Sequence, residues 1–170
     1  MFALLLWMMF TEPQDPMAVF KRMEGNWSVQ FLQIDEAGNY LPIGSSDSEF
    51  KVLLDGKLVQ ETTTVKTAQN VFPIINQFSY DSVRGVYRKS STDAVSGNMD
   101  IQEGELNNGL IHFTNTKYQT WFVTPSGTEL GFYLIFEFMD ADRMVMTARL
   151  STDHGETWDD FQILHYNRVK

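Results

Sequence analysis

Cysteine is absent from all 170 residues. That excludes a zinc–thiolate site, a disulfide framework and a cysteine nucleophile, and it leaves the redox compartment open. Basic runs are absent as well. Thirteen Lys and Arg stand against 22 Asp and Glu, a formal charge of −9, so no cluster of cations is available to hold the phosphates of a nucleic acid. An acidic balance of this kind serves solubility. Sustained helical periodicity is missing after Gly25, and no Gly-x-Ser-x-Gly elbow occurs. A serine triad of the α/β-hydrolase type therefore has neither its motif nor its scaffold. The most apolar stretch, MFALLLWMMF at residues 1–10, is half the ~20 residues a membrane-spanning helix needs. It lacks a basic n-region and an Ala-x-Ala site before Pro13, so three readings stay open: a degenerate export signal, an extension packed on the folded domain, and a surface anchor. Cytoplasmic and exported locations are both compatible with it.

What is present reads as one domain over residues 15–170, behind this apolar segment at 1–14. Aromatics make up 14% of the chain, with 13 Phe, which is ample for a core. A short helix is expected first. Asp15 can cap it, Pro16 suits its first position, Gly25 suits its end, and Met17, Phe20 and Met23 form an apolar stripe about two turns long. Everything afterwards has strand character, over 26–35, 50–54, 57–66, 73–81, 86–92, 99–106, 110–122, 130–139, 144–150 and 158–169. Asp55-Gly56 and Asn108-Gly109 are two-residue hairpin signals. About ten antiparallel strands joined by tight turns point to an all-β up-and-down barrel, because closure removes the exposed edges of a long meander. A two-sheet sandwich is the alternative.

Ser151-x-Asp153-x-Gly155-x-x-Trp158 has the spacing of the Asp-box, a turn motif of sialidase propellers. A propeller needs at least four blades of roughly 40–50 residues, and here there is one box and no repeat at that period. The Asp can accept turn amides, the Gly can take positive φ and the Trp can pack beneath the loop, so the motif is expected to build a hairpin rather than to do chemistry. The cluster Asp153, Glu156, Asp159 and Asp160 lacks the spacing of an EF-hand loop, and no metal site or cofactor is expected.

Gly25-Asn26-Trp27 at the first strand, with Arg168 near the end of the last, resembles the calycin signature of lipocalins and their relatives. The resemblance implies an Arg stacked across the Trp at the barrel base, a favourable cation–π pair. Five further stretches extend the likeness to the bacterial domain-of-unknown-function family 1579. They are residues 20–27 (FKRMEGNW), 54–61 (LDGKLVQE), 78–87 (FSYDSVRGVY), 96–105 (SGNMDIQEGE) and Tyr166-x-Arg168. That resemblance implies a barrel with an interior cavity and supplies no catalytic residues.

Alternation along the last strand sharpens the reading. If Arg168 points to the base, Tyr166, Leu164 and Gln162 face inward, and Phe161, Ile163 and His165 face outward. Haem binding in the manner of nitrobindin, another calycin, would require His165 to face the cavity. Of the other histidines, His112 and His154, neither is spaced to share a metal with it. The strand GFYLIFEFM is apolar on both faces, which calls for a cover on its outer side: residues 2–10, or a second copy of the chain. Paired carboxylates inside the barrel, Glu61 with Glu137, would be the basis of an enzymatic alternative. Tyr80, Tyr87, Arg88, Arg149 and Tyr166 are the candidate ligand-binding groups, suited to a small amphipathic ligand with a carboxylate head. Non-catalytic binding of a small apolar or amphipathic molecule is the function expected. A structural or interaction barrel packed shut by its phenylalanines is the remaining alternative.

Overall fold

The computed structural model describes residues 15–35 and 37–170. Asp15 Oδ1 accepts the Met17 N–H at 3.0 Å and starts a single helical turn, α1 (Ala18–Lys21). Eleven strands follow: β1 Gly25–Ile34, β2 Tyr40–Leu53, β3 Leu58–Thr67, β4 Val71–Asp81, β5 Val86–Asp93, β6 Met99–Asn107, β7 Leu110–Thr114, β8 Phe122–Val123, β9 Glu129–Phe138, β10 Arg143–Ser151 and β11 Asp159–Arg168. Neighbours pair antiparallel throughout. β11 returns to β1, and β9 pairs with both β7 and β10, so ten strands close a ring while β8 adds a short rung on β9. The sandwich alternative is thereby excluded, and the barrel retains no long free edge.

Period-two alternation sets what the ring encloses. On β1, Trp27 and Val29 are buried between exposed neighbours, and Phe31 is buried beside the also buried Leu32 at a register shift. Trp27, Val29 and Phe31 register with Arg168, Tyr166 and Leu164 of β11. Met17, Phe20 and Met23 around α1 are all buried. They plug one end of the barrel, where Phe20 meets Phe78 at 5.2 Å and Tyr87 edge-on at 5.4 Å between ring centroids.

Two elements differ from the sequence reading. β2 begins at Tyr40, ten residues before the expected start. Its inward positions there are Ser46 and Ser48, which are small and polar, so hydrophobic alternation gave no signal although both are buried. The expected strand 110–122 breaks after Thr114. Asn115 turns the chain by accepting the N–H groups of Tyr118 and Gln119 at its backbone carbonyl, and Gln119 takes a positive φ of 54°. Because β7 is so short, its ladder to β6 covers only Glu103–Asn107 of the latter. The remainder of β6, from Met99 to Gln102, pairs with β5 alone. On that bare edge the Ile101 N–H donates to Thr120 Oγ1 at 2.9 Å, and that oxygen lies 3.2 Å from the Ile101 carbonyl. A side chain stands there in place of a strand.

The hairpin signals also separate. Asn108-Gly109 makes the expected two-residue loop between paired Asn107 and Leu110, with φ of 50° and 83°. Asp55-Gly56 lies in a longer loop between paired Leu53 and Leu58, with a 3-10 turn over Leu54–Gly56.

Candidate binding cavity

The base of the barrel is solid. Trp27, fully buried, donates its indole N–H to the Met23 carbonyl at 2.7 Å. The guanidinium of Arg168 lies 4.2 Å from the Trp27 ring centroid. Its N–H groups donate to the carbonyls of Arg22 (2.7 Å), Glu24 (2.6 Å) and Ala141 (3.0 Å). Gly25 makes this approach feasible: it sits at φ 121°, and a Cβ there would stand 2.9 Å from Arg168 Nη1. The β-strand polarity places all of this at the end where β1 begins and β11 finishes.

Towards the other end the ring is hollow, with a cavity of about 410 Å³. One side of its wall, from β9 through β10 and β11 to β1, is apolar: Phe132, Leu134, Phe136, Met146, Leu164 and Phe31. The opposite side, on β3 to β6, carries the charged and amide groups Glu61, Asn76, Lys89, Asp100 and Gln102, together with apolar Val65, Phe72 and Ile74. The barrel is therefore not packed shut by its phenylalanines, many of which crowd the base.

The polar side is deeply buried. Glu61 is 2% exposed and Lys89 6%. Asn76 Nδ2 donates to Glu61 Oε2 at 2.8 Å. Burial pushes the Glu61 carboxyl above the ordinary glutamate value, against the opposing help of Ser48, Asn76, Lys89 and Tyr166. Burial and the adjacent Glu61 push the Tyr166 phenol up. Lys89 is held below the usual lysine value by burial, against the attraction of Asp100 and Glu61. Among the described residues no carboxylate oxygen comes within 4.0 Å of its ammonium nitrogen. Directly across the β5–β6 ladder stands Gln102. Its Nε2 donates to Asp100 Oδ2 at 2.6 Å, which fixes the amide orientation and leaves Oε1 buried with no partner. Asp100 Oδ1 accepts from Thr120 Oγ1 at 2.8 Å and from Asn115 Nδ2 at 3.1 Å. The chain that crosses the mouth is thus tied to the polar wall.

Of the five candidate ligand-binding residues, Tyr166 lines the cavity. Tyr80 and Tyr87 face inward but lie against the plug: their rings are 5.0 Å apart, and the Tyr87 hydroxyl donates to the Pro16 carbonyl at 3.1 Å. Arg88 and Arg149 point outward. Arg88 pairs with Glu103 at 2.6 Å and Arg149 with Asp160 at 2.8 Å. A carboxylate head held by these two arginines is therefore ruled out by strand phase: each is one residue from an inward position, Lys89 or Ala148. Glu137 is exposed on the outer face, so the Glu61–Glu137 carboxylate pair does not exist. His165 is exposed outside the barrel, which removes the axial ligand of the haem reading. Lys89, Asp100 and Gln102 were missed because a lysine beside Arg88 and an Asp-x-Gln in an acidic strand look like solvated positions.

The Asp-box stands at the rim. Ser151 Oγ donates to Asp153 Oδ1 (2.7 Å) and accepts the Gly155 N–H (2.8 Å), while Asp153 accepts the N–H and hydroxyl of Thr157 at 2.9 and 2.6 Å. These donors hold the Asp153 carboxyl far below the usual carboxylate range. Trp158 packs outside on Tyr133, whose hydroxyl meets His112 Nδ1 at 2.7 Å. Trp121 stacks on His154, and a Cβ at Gly131 would stand 2.8 Å from the Trp121 ring. Much of the outer face of β9 is therefore covered by its own chain. The expected cover from residues 2–10 lies outside the described residues. Among the described residues no group of His and carboxylates is arranged to hold a metal ion.

The chain belongs to the family described as protein of unknown function (DUF1579), whose profile matches residues 12–168. No functionally curated protein matches it. Solved structures that share its fold include the following two. The S-type phycobiliprotein lyase CPES from Guillardia theta superposes with a TM-score of 0.60 at 11% identity, over 89% of this chain and 90% of that one. Rv2717c from M. tuberculosis superposes with a TM-score of 0.61 at 11% identity, over 92% and 99%.

Proposed function

We propose that this member of the DUF1579 family holds a small, uncharged amphipathic molecule in the barrel without catalysing its conversion. The observation that carries the reading is the division of the cavity wall. Apolar side chains on β9–β11 and β1 suit a hydrocarbon or ring body, and buried polar groups on β3–β6 suit one polar end. Charge selects against an anion. Lys89 is the single cation on a wall that also presents Glu61, Asp93 and Asp100, so no excess positive charge is available for a carboxylate or phosphate. A barrel shared with a phycobiliprotein lyase is compatible with ligand binding and supports no finer statement.

Titration with Prodan, a neutral fluorescent probe, tests the reading. The wild-type chain should bind one probe saturably. Ala148→Trp, which fills the space beside a buried wall residue, should weaken binding about tenfold or more while the protein stays folded. Equal binding by a folded Ala148→Trp variant would place the probe elsewhere and refute the reading.

A further inference from the structure

We propose that Lys89 is a covalent capture site for apolar aldehydes, forming an imine inside the cavity. The inference deepens the cavity reading and rests on it. Seven lysines occur in the chain. Lys21, Lys51, Lys66, Lys117 and Lys170 each pair with a carboxylate at the surface, and Lys57 is exposed. Lys89 alone is buried, and it lines the cavity with no ion pair within 4.0 Å of its nitrogen among the described residues. A lysine buried along its length with no close counter-ion is costly unless it has work to do. Its lowered pKa favours the free amine, which is the nucleophilic form.

The surroundings suit a carbonyl group better than an anion. Opposite Lys89 stands the unpartnered Gln102 Oε1, an acceptor for the hydroxyl of a carbinolamine. Apolar residues such as Leu134 and Phe136 line the other side and can receive an alkyl or aryl body. The reaction needs no co-reactant. The amine lone pair of Lys89 forms a bond to the carbonyl carbon, and the C=O π pair moves to oxygen. One amine proton passes to that oxygen to give the carbinolamine, which then loses its hydroxyl with the remaining N–H hydrogen as one water, leaving C=N. Once protonated, the imine is a cation facing the same two carboxylates, Glu61 and Asp100, that Lys89 faces.

The test uses the full chain, octanal at substoichiometric amounts, sodium borohydride to reduce any imine to a stable secondary amine, and peptide mapping by mass spectrometry. The expected result is labelling of Lys89 at least about tenfold above any surface lysine. The label should vanish in Lys89→Met and be suppressed in Ala148→Trp. Because the map is read on the wild-type chain, it does not depend on either variant folding. Labelling spread over surface lysines with Lys89 unmodified would overturn the proposal. If Prodan still bound saturably in that case, the cavity reading would survive alone, and loss of both signals would end both.

Discussion

Compared with the base of the barrel, the hollow end is a different kind of interior made from the same strands. At the base, aromatic rings touch one another, and the polar tips among them are spent on backbone carbonyls: Trp27 on Met23, Tyr87 on Pro16, Arg168 on three residues. In the cavity, Glu61 shares its carboxyl with several neighbours, yet Lys89 has no close counter-ion and Gln102 Oε1 has no partner. Rotating along β3 shows the change residue by residue, from fully buried Val59 near the base to Glu61 and Thr63 further along. One end is closely packed with its polar tips satisfied, and the other leaves one buried acceptor, Gln102 Oε1, without a partner among the described residues.

That contrast can be broken most decisively by truncation. Trp27→Ala should destabilise the protein by about 3–5 kcal/mol, since the site is fully packed. Phe132→Ala, on a half-buried side chain that borders the cavity, should cost about 1–2 kcal/mol, because fewer contacts are lost. Chemical denaturation measures both, and equal costs would show that the two ends are packed alike. A smaller effect is expected from Glu61→Gln. The folded pKa of Glu61 is raised above its ordinary value of 4.5, so its contribution to stability is fully present below that value and is lost as pH rises through the folded value. The variant should therefore gain on the wild type as pH increases from about 4 to 8, as read from paired melting curves. A gain in the opposite direction would mean that Glu61 and Lys89 form a favourable pair and that the wall is as satisfied as the base. The least effect belongs to Asp153→Ala at the rim, which should lower the melting temperature slightly and leave Prodan binding unchanged. Lost binding would make the Asp-box part of the site.

Much of this architecture was legible in the sequence wherever side-chain type and face coincide. Met17, Phe20 and Met23 announced the plug, Asn108-Gly109 its hairpin, and the phase of β11 followed from Arg168 at the base as far as Gln162, with Tyr166 and Leu164 turned in and His165 turned out. Phe161, expected outside, borders the cavity at the bulge opposite Ala148 and Arg149. The cavity was harder to read because its chemistry inverts the usual cue. Ser46, Glu61, Lys89 and Gln102 are hydrophilic residues on the inner face, so alternation of hydrophobicity either vanished, as in the first half of β2, or suggested the wrong phase. On β5 the more conspicuous cation, Arg88, belongs to the surface, and the one that matters is its neighbour. A register fixed from Tyr87, whose partner Gly104 lies opposite the inward ring, would have assigned Lys89 to the interior.

The bare edge of β6 has a bearing on time as well as on shape. Opening a ring of strands elsewhere means breaking several ladder hydrogen bonds together, and such events occur about as seldom as unfolding itself. Between β6 and the mouth-crossing chain the seam is held by one threonine hydroxyl, with Asn115 as the second fastening on Asp100. Releasing it means turning two side chains, Thr120 and Asn115, with no strand ladder to part. The barrel thus has two kinds of closure: packed rings and strand ladders hold the base, and side-chain hydrogen bonds from Thr120 and Asn115 hold the seam.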